Sequence, residues 1–233
     1  MISQLEKIYL KQLYNIDSHL KEHNIKCLTK DRATNPFLLT IPDNYEEFQN
    51  RVMIFGQETN GWCRECGNKT VYSNSLKKSI EIYKRFYLNG GINKYRGAFW
   101  NEFKRVRDEV TKSKSVFFIW NNINKIGRVG KGNVAEIDKL QFSHFNVIKE
   151  EIRILKPEIF IFFTGPNYDH FIRKNIGDFK QKMINDSLYE VEFSGEFSNI
   201  KAFKTLHPNG LYLKGKNRIV IPNLINEIKK ACN

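Results

Sequence analysis

Hydrophobic positions along the chain fall into two patterns. Ile2, Leu5, Tyr9, Leu13, Ile16 and Leu20 recur at spacings of three and four, which predicts one face of an amphipathic helix. The same spacing predicts a helix through Leu76, Ile80, Tyr83 and Tyr87, stopped by Asn89-Gly90-Gly91, and another through Phe99, Phe103, Val106 and Val110. Phe145, Ile148, Ile152 and Leu155 predict a further helix, stopped by Pro157. Val220, Leu224 and Ile228 mark the inner face of a closing helix over Arg218–Lys230. Between these segments lie apolar runs too short for helices. Arg51–Phe55, Val116–Trp120 and Ile159–Phe163 read as buried strands, while residues 188–193 and 199–205 read as more exposed ones.

Short buried strands alternating with helices predict an α/β fold with a mostly parallel sheet. No internal repeat, low-complexity tract or linker interrupts it, so a single domain over residues 1–233 is expected. In such sheets ligands bind beyond the carboxyl ends of the strands. That rule selects the loops after Phe55, Trp120, Phe163 and Leu206. They carry Gln57, Glu58, Asn60, Asn121, Asn122, Thr164 and His207, so polar and reactive side chains collect at one predicted edge. The segment His207–Gly215 reads as a loop.

Charge adds a partner to this picture. Lys and Arg number 38 against 25 Asp and Glu, a net charge of +13. Such a surplus favours a polyanion, although a lysine-rich genome bias gives the same count. No window approaches the length of a membrane span, and the N-terminus lacks the apolar core of a signal peptide, so a cytoplasmic protein with no membrane partner is expected. Of the four cysteines, Cys63 and Cys66 form a C-x2-C pair, while Cys27 and Cys232 lie far off in the chain. With no second close pair, incidental loop thiols are favoured over a metal site, and neither a metal nor a cofactor is expected.

Three motifs at the predicted strand ends carry a resemblance. Gly56-Gln57-Glu58-Thr59-Asn60 is a glycine-led polar turn after the first strand, Phe117-Phe118-Ile119-Trp120-Asn121 a strand ending in Asn, and His207-Pro208-Asn209-Gly210-Leu211 a His-Pro segment with Leu four residues beyond the His. In that order they resemble the motifs of the uracil-DNA glycosylase superfamily. The resemblance spans roughly residues 50 to 230. It leaves an N-terminal helical region, 1–35, and an apparent insertion, 61–96, outside the motifs. It implies a three-layer α/β/α sandwich around a central, mostly parallel four-stranded sheet. It also implies a monomer that flips a base out of DNA.

The chemistry gives each residue a task. Cleavage of a pyrimidine glycosidic bond builds positive charge on the sugar and negative charge on the departing base. A carboxylate near the sugar steadies the first and orients water, a task that suits Glu58. A donor near the base oxygen steadies the second, a task that suits His207. Asn121 offers donor and acceptor to a base edge, with Asn122 the one-residue alternative, and Gln57 and its neighbouring amides could add donors. Phe99 resembles the family's stacking residue, although its place on the helical stripe favours core packing; Trp62 and Trp100 are the other aromatic platforms. Leu211 with Tyr212 would fill the gap left by the flipped base. Lys125, Arg128, Lys131, Lys214, Lys216 and Arg218 would hold phosphates.

Two positions depart from the family. Glu58 stands where the family has Asp or Asn. Asn60 stands where strict uracil enzymes place a Tyr against C5 of the base. The second change implies a C5-modified pyrimidine as substrate, in its sharpest form glucosylated 5-hydroxymethylcytosine in phage DNA. Plain uracil repair and a non-catalytic DNA-binding role remain the alternatives.

Overall fold

A computed structural model describes residues 1–22, 33–62, 72–128, 130, 132 and 134–232. Cys27, Cys63, Cys66 and Lys131 lie outside the described residues. In chain order the regular elements are α1 (Ile2–Glu22), β1 (Asn50–Gly56), α2 (Leu76–Tyr83), α3 (Ala98–Thr111), β2 (Val116–Asn122), α4 (Ala135–His144), α5 (Ile148–Leu155), β3 (Ile159–Phe163), α6 (Asp169–Asn175), β4 (Phe179–Asn185), β5 (Leu188–Phe193), β6 (Lys201–Thr205), α7 (Pro208–Leu213) and α8 (Asn217–Ala231). They group into two compact units, interleaved along the chain. The first comprises Met1–Ile41, Glu58–Gly90 and Asn122–Leu155; the second comprises Pro42–Gln57, Gly91–Asn121 and Lys156–Asn233.

The second unit is built on a six-stranded sheet in the order β2-β1-β3-β6-β5-β4. Its apolar runs explain its centre. Val52 to Phe55 and Ile159 to Phe163 are buried throughout, as expected of strands without a solvent face. β1 pairs in parallel with β3, and β3 in parallel with β6.

The expectation of a mostly parallel four-stranded sheet is corrected here. The sheet has six strands and is mixed, because β5 runs antiparallel to both β4 and β6. The hairpin turns at Asp186 and Ser187, where Ser187 adopts a positive φ of 75°. β4 escaped the sequence reading because its hydrophobic alternation is absent. Lys180 to Ile184 are all exposed, and register with β5 organises the strand instead, setting Lys180 opposite Glu192 and Lys182 opposite Glu190.

The first unit is helical. Leu5, Tyr9, Leu13 and Ile16 bury the inner face of α1, which packs on α2, α4 and α5. α2 runs on into a π-helical turn at Lys84–Leu88, inside the segment expected as an insertion. At the unit's centre is a buried polar cluster. The Tyr9 hydroxyl donates to Glu151 at 2.5 Å, and the Lys125 ammonium meets the same carboxylate at 2.7 Å. Lys125 also lies 4.9 Å from the centre of the Phe37 ring. Burial lowers the Lys125 pKa, with Glu151 opposing, and burial foremost raises that of Tyr9.

Candidate functional site at the carboxyl edge of the sheet

Strand order reverses at β1, with β2 on one side and β3 on the other. A crevice at such a reversal is where open α/β sheets take their ligands. Gln57, directly after β1, spans it by donating its amide to the Thr164 carbonyl at 2.7 Å. The chain leaves β3 through Gly165, whose φ of 76° strongly favours glycine. The Gly165 amide donates to the Thr205 carbonyl at 3.0 Å, locking the end of β3 to that of β6. The Thr164 and Thr205 hydroxyls are buried with no hydrogen-bond partner among the described residues, so this edge keeps unspent polar capacity.

His207 follows β6. It forms the N-cap of α7, its Nδ1 accepting from the Asn209 amide at 3.2 Å, with Pro208 at the first helical position. The expected loop is therefore a short helix, and the His-Pro pair is what starts it. Burial lowers the His207 pKa, so the imidazole is neutral at pH 7. With Nδ1 accepting, its proton sits on Nε2. The ring stacks on Phe99 at 5.9 Å between centroids and 19° between planes. Phe99 remains half-exposed in the first turn of α3 and abuts Phe163 edge-on at 6.1 Å. It lies on the helical stripe, yet its ring reaches the site rather than disappearing into the core.

Asn121 lies within β2, which continues to Asn122 instead of stopping at Trp120. Its amide is fully buried and donates to the Met53 sulfur at 3.5 Å. The second unit thus gathers Gln57, Phe99, Thr164 and His207 at one sheet edge, with Asn121 at the end of the neighbouring strand. Glu58 and Asn60 belong to the first unit. Glu58 is half-buried, and Asn60 is exposed, its Oδ1 accepting from the Gly130 amide at 3.0 Å.

The structure corrects several expected DNA contacts. Leu211 is fully buried on the inner face of α7, because helix formation turned it inward from the expected loop. The exposed apolar positions nearby are Tyr212 and Leu213, the latter 80% exposed, together with Ile219. Desolvation raises the Tyr212 pKa, and so does the nearby Glu102 carboxylate. Lys125 is buried against Glu151 and does not reach solvent. Arg128 is half-buried, its backbone bridged to Ala33. Lys216 is engaged with Asp186 at 2.6 Å, whereas Lys214 and Arg218 are exposed.

Lys94-Tyr95-Arg96, just ahead of α3, stands outside the sequence expectations. All three are exposed, the Tyr95 ring by 51%. An aromatic between two cations beside a glycine was a readable signal for a nucleic-acid contact. Cys232 is a buried free thiol, and burial raises its pKa. Among the described residues no group of three or more His, Cys, Asp and Glu could hold a metal ion, and no helix is long and apolar enough to cross a membrane.

No family model matches the chain, and no curated protein matches it either.

Proposed function

We propose that this protein is a DNA glycosylase that hydrolyses the bond between a flipped-out pyrimidine and its sugar. The observation that carries the reading is the placement of the His207 imidazole, whose Nδ1 is taken by the Asn209 amide and whose burial disfavours the charged form. Its Nε2 is left to donate, and its ring stacks on the half-exposed Phe99 at the sheet edge where Gln57 and the buried Thr164 and Thr205 hydroxyls also lie. A pyrimidine leaves as an anion. A neutral donor steadies it without having to surrender its proton, and a preorganised donor of this kind contributes on the order of a hundredfold or more in rate. Phe99 would stack the flipped base against the same site. In this reading Glu58 takes the carboxylate task. It orients water toward the sugar carbon; the water oxygen bonds that carbon as the bond to the base breaks, and the water proton passes to the carboxylate.

DNA would be held by cations that the fold leaves exposed. Lys94, Arg96, Lys214 and Arg218 replace Lys125 in that role. Leu213 replaces Leu211 beside Tyr212 as the apolar group that fills the vacated stack. The base is proposed to carry a C5 substituent, as in glucosylated 5-hydroxymethylcytosine of phage DNA, because Asn60 puts no ring at the place that would reject one. Its Oδ1 is already engaged by the Gly130 amide, so recognition of such a base would use the Nδ2 group.

The test is direct. Duplexes carrying uracil, mismatched thymine, 5-hydroxymethylcytosine or its glucosylated form are incubated with the protein and then cleaved with alkali at abasic sites. Breaks at the glucosylated base are expected, with His207→Ala and Glu58→Gln each lowering the rate by roughly a hundredfold while DNA binding persists. Breaks at uracil alone would remove the C5 reading. No breaks on any duplex would remove the enzyme.

A further inference from the structure

In the first unit, the loop that carries Glu58 rests on a glycine that has no conformational need to be one. Gly127 does not have a positive φ, yet a Cβ added there would lie 2.3 Å from the Thr59 carbonyl oxygen, 3.2 Å from its carbon and 3.4 Å from the Thr59 nitrogen. Every one of those atoms is backbone, so no side chain can rotate away to make room.

Gly127 itself is held from several sides. Its amide donates to Thr34 Oγ1 at 3.1 Å, and its carbonyl accepts from the Thr34 amide at 2.8 Å. The amides of Lys125 and Ile126 both donate to Gln141 Oε1. The Lys125 carbonyl accepts from Phe37, and its ammonium is anchored on Glu151. Residues 125–127 are therefore the fixed partner, and the loop with Thr59 is the part that would yield. That loop is clasped at two further points. Asn60 Oδ1 accepts from Gly130, and the Gly61 amide donates to the Arg128 carbonyl at 3.4 Å.

We propose that Gly127 is a positioning residue for Glu58: its bare Cα seats the Thr59 carbonyl, and the Asn60 and Gly61 bonds hold the loop down on that seat. The buried Lys125–Glu151–Tyr9 cluster then acts as the foundation of the seat, and Asn60 works first as a clasp. The inference deepens the glycosylase reading and rests on Glu58 being its carboxylate.

The experiment is single-turnover base excision with full-length Gly127→Ala. A shift of about an ångström in a positioned group costs on the order of a hundredfold in rate. A loss of that size is expected, with affinity for the same duplex near that of the unaltered protein. In a Glu58→Gln background Gly127→Ala should add little, because both changes act through one carboxylate. A fully additive loss overturns the proposal. So does a loss traced to a smaller folded fraction with an unaltered rate constant for the folded enzyme.

A second arm needs no activity. Amide hydrogen exchange at Gly61 and Gly130 should quicken in Gly127→Ala. Asn60→Ala should quicken Gly130 exchange, and Asn60→Asp, which keeps the acceptor oxygen, should restore its protection. If the unaltered protein excises no base, the glycosylase reading fails and exchange alone decides; unaltered exchange at both amides overturns the seat. If Gly127→Ala does not fold, the Asn60 pair decides by the same readout.

Discussion

Two basic clusters look alike in the sequence and differ in the fold. Lys125, Arg128 and Lys131 follow β2 in a polar, glycine-bearing stretch; Lys214, Lys216 and Arg218 follow α7 in another. Lys125, which leads the first, is a core residue, its ammonium shared between Glu151 and the face of Phe37. In the second cluster Lys214 and Arg218 stay in solvent, and Lys216 makes a half-exposed pair with Asp186. Net charge counts both clusters equally. The physical work of Lys125 is opposite to that of Lys214 and Arg218, because a buried cation is a structural commitment and an exposed one is free to meet phosphate. Solvation separates them, and solvation is a property of what packs around the residue.

Stability should split the clusters most widely. Lys125→Ala leaves Glu151 buried with its cation gone, and a loss of about 3–5 kcal/mol in urea unfolding is expected. A loss under about 1 kcal/mol would mean that water reaches Glu151 and that the cluster is no foundation. Next comes the contrast between the two leucines of α7. Leu211→Ala empties a core position and should cost about 2–5 kcal/mol. Leu213→Ala should leave the unfolding midpoint nearly unaltered and weaken action on duplex more than on single strands. The reverse order would restore Leu211 as the wedge.

The His207 cap should show a pH signature. Its folded pKa lies below the ordinary value because burial disfavours the charged form. The unfolded chain therefore binds the proton more readily. The stability of the capped form is fully present above about pH 6.5 and is lost as pH falls through the lowered folded value. The His207 cap on the Asn209 amide should contribute about 1 kcal/mol, so His207→Ala should flatten this part of the profile. An equally steep fall in the variant would assign it to another group. The smallest stability effect belongs to the exposed cations. Lys214→Ala with Arg218→Ala should alter stability by less than about 0.5 kcal/mol and lower the salt slope of DNA binding by roughly 1 to 2. An unaltered slope would place the phosphate contacts elsewhere.

Much of the sheet could be read from the chain because its central strands are continuous apolar runs. β1, β2, β3, β5 and β6 all appear where those runs predict them. α1, α3 and α8 appear where three- and four-residue spacing predicts them. β4, α4, α6 and α7 were missed for a shared reason: they are short or polar, and each is held by neighbours rather than by its own pattern. β4 exists because β5 supplies its register and its opposing charges. α7 exists because His207 caps it and Pro208 starts it, and only afterwards is Leu211 inside.

The sequence by itself determined which residues stand at the ends of β1, β3 and β6, since those strands stop where their apolar runs stop. It thereby brought Gln57, Thr164 and His207 to one edge. Tertiary structure alone decided their chemical condition. It turned His207 into a neutral cap with Nε2 to donate, stacked Phe99 on it, drew Asn121 into the interior and gave the Asn60 oxygen to Gly130. Burial, protonation and hydrogen-bond commitment depend on groups distant along the chain, and no local pattern encodes them.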